Sequence, residues 1–324
     1  MKTRFAFAGF RHAHILDLLA GVNERADVEV VACCEEDAAT RAGLGVAITH
    51  TDFVTMLREV ECDVVAIGDY YSRRGALAIA ALDAGRHVLG DKPLCTALDE
   101  QTTIEKRAAE RGLLVGLQLD SRDSGAFRTL HEIVRGGEIG EVCTIRIDGQ
   151  HPLLPGTRPA WYFEPGKHGG TINDIGIHAF DLVPWLTGLD WRGVQAARSW
   201  NAKARDFPHF HDCAQIMATL ENGAGVLADL SYLAPDRLGY RLPYYWHVLV
   251  HGTRGLAETH LQASHVTVIT DTSATPEIRP VLEKRTRGYL HDFLCELRGE
   301  PCELTSSDCL RASRLALEAQ LLCS

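Results

Sequence analysis

Apolar runs alternate with helical patterns over the first 120 residues. Runs at 4–8, 28–34, 63–67, 87–89 and 113–117 predict strands, while residues 15–22, 53–60, 77–84 and 102–111 carry the spacing of helices. The continuous, β-branched character of VEVVACC and DVVAI suits strands covered on both faces. Strict alternation of this kind predicts parallel βαβ units in a doubly wound α/β sheet. Beyond Asp120 the texture changes. A helical stretch at 124–134 stops at Gly136 and Gly137, and alternating strands follow at 142–148, 194–200, 214–220 and 225–232, predicting a large, mostly antiparallel open sheet. Further strands are expected at 245–251 and 266–270, with closing helices at 288–297 and 306–322, the last capped by Ser306 or Ser307. Residues 150–170, rich in Pro, Gly and aromatics, read as one long loop.

The predicted organisation is therefore an N-terminal domain over 1–120 and an α+β domain over 121–324, with the closing helices packing back on the first. A length of 324 residues suits two domains at roughly 150 residues each. Apolar residues at 46%, charged residues at 23% and a mean hydropathy of −0.07 argue for a folded globular chain. The net charge of −10 opposes binding to nucleic acid or to an anionic membrane. The apolar run near the N-terminus ends at Arg11, too short for a signal peptide, and no stretch reaches the roughly 20 residues of a membrane span. A cytoplasmic protein is expected. Ten cysteines without a CxxC or zinc-like spacing read as reduced thiols, and Cys33 and Cys34 face opposite sides of a strand.

Three segments take the reading beyond fold class, the first two through candidate chemistry and the third through the general layout. In AGRHVLGDKPL, Lys92 follows a strand and precedes Pro93, which holds its backbone extended and directs its ammonium to the mouth of the sheet. In GGTINDIGIHAFDLVPWLTG, residues 169–188, Asp174, His178 and Asp181 stand at i, i+4 and i+7, on one helical face. A histidine there can accept a hydroxyl proton while a carboxylate orients the substrate. HGTRG at 251–255 is the third.

Together these segments resemble the Gfo/Idh/MocA family (glucose-fructose oxidoreductase, inositol dehydrogenase, rhizopine catabolism). AGRHVLGDKPL is similar to the family's AGKHVLCEKPL, with Asp91 replacing Glu, and GGTINDIGIHAFD is similar to its GGGxLxDxGxHxxD helix. The resemblance spans nearly the whole chain. It implies a Rossmann dinucleotide-binding domain and NAD-dependent hydride transfer from a sugar, cyclitol or related polyol, with NADP less favoured. It also implies catalytic roles for Lys92, Asp174 and His178, a homodimer or homotetramer, and no metal. Two alternatives stay open: NAD-assisted elimination or glycoside cleavage without net redox, and a redox-silent ligand sensor.

The chain departs from the dinucleotide pattern at its first turn. GxGxxG is reduced to Gly9-Phe10-Arg11-His12-Ala13-His14, so Arg11 is expected either to contact the pyrophosphate or to displace the cofactor. Glu35, at the end of the second strand, is placed to bind the adenosine ribose and repel a 2′-phosphate. Asp69, Tyr70, Asp91 and Lys92 complete the expected cofactor contacts, with Arg73 and Arg74 open as anion binders. Substrate contacts are expected from Lys92, Arg158, Trp161, Tyr162, Asp174 and His178, with Lys167 nearby. The pairs His12/His14 and His209/His211, the latter followed by Asp212, supply imidazoles without an evident full ligand set.

Overall fold

The first unit is built on β1 (Thr3–Ala8), α1 (His14–Asn23), β2 (Val28–Cys34), α2 (Ala38–Gly43), α3 (Phe53–Glu59), β3 (Val64–Ile67), α4 (Tyr71–Asp83), β4 (His87–Gly90), α5 (Leu98–Arg111) and β5 (Val115–Leu117). This computed structural model describes residues 2–242, 245–286 and 288–323. The five strands are parallel, in the order β2-β1-β3-β4-β5. Phe5, Phe7, Val64, Val65, Val88 and Leu89 are fully buried, as strands layered by helices require. The order reverses between β1 and β3. The loops leaving their carboxyl ends therefore diverge, and open sheets of this class bind ligands at that switch point. Helix α2 has no buried apolar face to predict it; the Asp37 side chain nucleates it by accepting from the Thr40 amide at 2.7 Å.

The second unit contains α6 (Gly125–Arg135), β6 (Val142–Pro152), α7 (Ile177–Thr187), β7 (Trp191–Trp200), β8 (Cys213–Leu220), β9 (Gly225–Ala234), β10 (His247–Gly252), β11 (Gly255–His260), β12 (His265–Thr270) and β13 (Glu277–Pro280). Its eight-stranded sheet runs β13-β12-β11-β10-β6-β9-β8-β7, antiparallel throughout except for the parallel β6–β9 pair. One face is buried; on the other Met217 and Leu227 stand exposed beside polar neighbours. Strand β6 continues to Pro152 and a single 3₁₀ turn covers Ala160–Phe163, so the expected loop at 150–170 is shorter than its composition suggested.

A π-helical turn, Ile172–Gly176, leads into α7. Within α7, Pro184 cannot donate to the Phe180 carbonyl, and the Trp191 indole takes that carbonyl instead at 3.1 Å. This satisfies the broken ladder and fixes the helix carrying the second motif.

Helices α8 (Gly288–Leu297) and α9 (Ser306–Leu321) close the chain. Leu290, Phe293 and Leu294 of α8 join Phe5, Phe7, Ile15 and Leu18 in one core, and Gly116 leaves the space that Phe293 fills. The cap of α9 is Thr305, not Ser306 or Ser307. Its hydroxyl accepts from the Asp308 amide at 3.1 Å while the Asp308 carboxylate accepts from the Thr305 amide at 3.2 Å. Ser306 instead accepts from the Val115 amide on β5 at 2.8 Å. By contact density, one unit comprises the chain to Gln118 with Pro159–Gly169 and Tyr289–Arg314, and the other comprises Leu119–Arg158, Gly170–Gly288 and the residues from Leu315 on. All ten cysteines are free; burial pushes the Cys33 thiol up to about 11 and the Cys34 thiol to about 12. Among the described residues no helix is long and apolar enough to cross a membrane.

Candidate active site

At the carboxyl edge of the parallel sheet, the chain leaves β1 through Gly9, whose φ of +78° and close approach to Asp69 exclude a side chain: a Cβ would lie 2.6 Å from that of Asp69. The next amide, Phe10, donates to Glu35 Oε2 at 2.6 Å, and the Asp37 amide donates to Glu35 Oε1 at 2.8 Å. Glu35 is completely buried. Expected to bind the adenosine ribose, Glu35 has both carboxylate oxygens taken by backbone amides and braces the loop after β1. Arg11 does not project freely either. Its Nε lies 3.4 Å from both Glu35 Oε1 and Asp69 Oδ1, and its guanidinium stacks 5.1 Å from the Tyr70 ring centre. Burial raises the Asp69 pKa, an effect that Arg11 partly offsets. Arg73 pairs with Glu36 and approaches Asp69, and Lys167 lies 5.0 Å over Tyr70 from its other neighbouring segment.

Asp91 ends this edge as a buried hub. Arg74, itself buried, donates to Asp91 Oδ2 at 2.6 Å and to the carbonyls of Asp69, Asp91 and Pro93 at 2.7, 2.9 and 3.0 Å. Arg74 is therefore a structural clamp rather than an open anion binder. His12 Nδ1 lies 2.5 Å from Asp91 Oδ2, and His14 Nδ1 lies 3.2 Å from Oδ1. Burial alone would raise the carboxyl pKa, but Arg74 and His12 outweigh it and hold Asp91 well below the usual carboxylate range. Lys92 follows immediately, buried, across a cis bond to Pro93.

The segment Pro159–Gly169 packs onto the same loop. Trp161 donates its indole N–H to the Arg11 carbonyl at 3.1 Å and meets Tyr71 edge-on at 4.9 Å, and the Tyr162 and Tyr71 hydroxyls lie 3.0 Å apart. Both Trp161 and Tyr162 are buried, so their rings build the unit's wall.

In the second unit, Asp174, His178 and Asp181 are all buried but take different partners. Tyr232 of β9 donates its hydroxyl to Asp174 Oδ2. The His178 ring has Nδ1 3.4 Å from Ser121 Oγ and meets Trp246 edge-on at 5.0 Å. Asp181 receives a two-pronged contact from Arg122, 2.6 Å from Nη2 to Oδ1 and 3.2 Å from Nε to Oδ2, a pair buried at both ends. Trp246 is wholly buried at φ +55°, a left-handed conformation that bulky residues adopt only under constraint. Around it, His151 is ringed by Tyr232, Tyr240, Tyr245 and Trp246 at 4.9–6.1 Å. Burial, followed by Asp120, pushes the Tyr245 pKa up. Arg158 is drawn to the Leu153 and Pro152 carbonyls and the Tyr240 hydroxyl at 3.1, 3.2 and 2.8 Å.

Sequence reasoning overlooked Ser121, Tyr232 and Trp246. Tyr232 was detectable, because Ala228, Leu230 and Tyr232 alternate on the inward face of β9 and a buried tyrosine hydroxyl demands a partner. The second histidine pair serves other ends. His211 contacts Ser199 Oγ at 2.8 Å, and Asp212 accepts the amides of Ala202, Lys203 and Ala204 at 2.6–2.8 Å.

Residues 4–119 match the family model described as an oxidoreductase family with an NAD-binding Rossmann fold, and residues 127–258 match the GFO/IDH/MocA C-terminal domain. A scyllo-inositol 2-dehydrogenase (NADP(+)) of Bacillus subtilis is 27% identical over 155 residues, 47% of this chain and 43% of that relative, so the match spans less than half of the relative's length. An inositol 2-dehydrogenase of Salmonella paratyphi B is 26% identical over 256 residues, 75% of this chain and 69% of that protein. A crystal structure from Erwinia carotovora atroseptica superposes with a TM-score of 0.88 at 25% identity, covering 100% of this chain and 99% of that one. With these two models together matching most of its length, in order, this chain belongs to the Gfo/Idh/MocA oxidoreductase family, its first domain an NAD(P)-binding Rossmann fold.

Proposed function

We propose that this protein is an NAD-dependent dehydrogenase of a sugar, cyclitol or related polyol. The observation that carries the reading is the pair Asp174 and His178, an acid and an imidazole four residues apart, both buried and each held by a hydroxyl from another element. The loop after β1 suits a dinucleotide: Gly9 permits close backbone approach at the switch point, and α1 begins just beyond. Nicotinamide, when bound, supplies the acceptor for the hydride leaving the carbinol carbon. Lys92 binds the reacting hydroxyl, and His178 accepts its proton. Asp174, fixed by Tyr232, orients the substrate and favours the charged imidazole. The rings of Tyr232, Tyr240, Tyr245 and Trp246 suit the CH faces of a sugar. Glu35, although buried beneath the loop after β1, adds negative charge just past the end of β2, where NADP carries its 2′-phosphate, and so favours NAD.

Steady-state kinetics of Lys92→Ala and His178→Asn test the roles. For His178→Asn a fall in kcat of about 10² to 10⁴ is expected. Lys92→Ala should lower kcat with NAD affinity nearly unchanged. Wild-type turnover in either variant contradicts the assignment.

A further inference from the structure

The loop after β1 and the end of β4 bring together three metal-binding side chains that the proposed chemistry does not use as a set. We infer that His12, His14 and Asp91 form a site for a divalent transition-metal ion of the zinc class, held by two imidazole nitrogens and one carboxylate oxygen. Their candidate ligand atoms all lie within 4.8 Å of one another, the one such group of three among the described residues. Bonds of about 2.0–2.2 Å to a tetrahedral ion place ligand atoms about 3.3 Å apart. His14 Nδ1 and Asp91 Oδ1, at 3.2 Å, already meet that spacing.

His12 supplies the independent argument. It is 6% exposed, and its Nδ1 points to Asp91 from 2.5 Å without the geometry of a hydrogen bond, leaving a buried ring nitrogen unpartnered in that sense. A ligand ion inserted between the two groups answers this, after an opening of the contact by about 1 Å. The two imidazoles meet nearly at right angles, with centres 4.4 Å apart, so their Nδ1 atoms converge rather than stack. Tyr71 addresses the far nitrogen of His12 at 3.3 Å, the outer-shell contact that fixes a ligating ring.

Asp91 divides its two oxygens. Oδ2 faces both Arg74 and His12, and Oδ1 faces His14. Because Arg74 already balances the carboxylate, the bound ion retains positive charge and takes an anionic oxygen, such as hydroxide from water, in its open position. His14, with half of its side chain exposed, provides the entry path.

The test uses the full chain, stripped by chelation and titrated with Co²⁺ as a spectroscopic probe. One equivalent should develop the visible absorption of a four-coordinate ion, displaced by one equivalent of Zn²⁺. His14→Ala, a substitution at a half-exposed position that spares the fold, should weaken Co²⁺ affinity on the order of 100-fold. His14→Cys, which restores a ligand, should recover the band with thiolate character. No stoichiometric band in the native chain overturns the proposal, as does a band of unchanged intensity in His14→Ala, which would place the ion on cysteine thiols elsewhere.

Discussion

Arg11 shows how a single residue alters a binding turn. Its side chain sits between two buried carboxylates, Glu35 and Asp69, and covers Tyr70. Replacing it with glycine restores the customary motif but leaves Glu35 without its counter-ion, and Asp69 with Arg73 alone, next to the position expected for a pyrophosphate. Arg11→Gly should therefore weaken NAD binding, by about tenfold, most strongly at low salt. Calorimetric titration at two salt concentrations checks this, and tighter binding by the variant contradicts it. Asp181 illustrates the same logic in a different setting. Asp181→Asn removes a buried carboxylate partner of Arg122, and a loss of about 3–5 kcal/mol in urea unfolding is expected. A change under 1 kcal/mol would mean that Arg122 finds another acceptor.

Among the elements, the turn at 201–204 depends on Asp212, which caps three amides. Burial raises its pKa, but those three hydrogen bonds outweigh it, and the net shift is downward. A depressed carboxyl stabilises the fold above its unfolded pKa, near 3.9, and that contribution is lost as pH falls through the folded value. Asp212→Asn should cost about 1–3 kcal/mol at pH 7, and its deficit relative to wild type should narrow below about pH 4. A deficit constant down to pH 3 contradicts the charge's role.

The parallel strands were legible because burial on both faces writes an unbroken apolar run, as in DVVAI. Strands β11 and β13 were not, since β13 has no buried residue to impose a pattern. The motif residues Lys92, Asp174 and His178 were legible by their spacing and their likeness to a family. Their partners were not. Ser121 and Trp246 lie 57 and 68 positions from His178 and meet it only through the fold of their unit, and Asp91 joins His12 across 79 residues. The partners of Glu35 were not legible, because strand periodicity stops at Cys34 and says nothing of a side chain folding back under the preceding loop.

For the whole molecule, two sheets of different construction divide the work expected of a dehydrogenase. The parallel sheet supplies a switch point and Lys92, and the mixed sheet supports the helix that carries Asp174 and His178. The central claim is net hydride transfer from a polyol to NAD. Its most direct test is the formation of NADH by the full chain, followed by nicotinamide absorbance with NAD and a panel of cyclitols, aldoses and anhydrosugars. Saturable NADH formation, proportional to enzyme, is expected with at least one of them. Tight NAD binding without NADH from any compound, or cleavage of a glycoside with no NADH accumulating, would contradict the dehydrogenase reading.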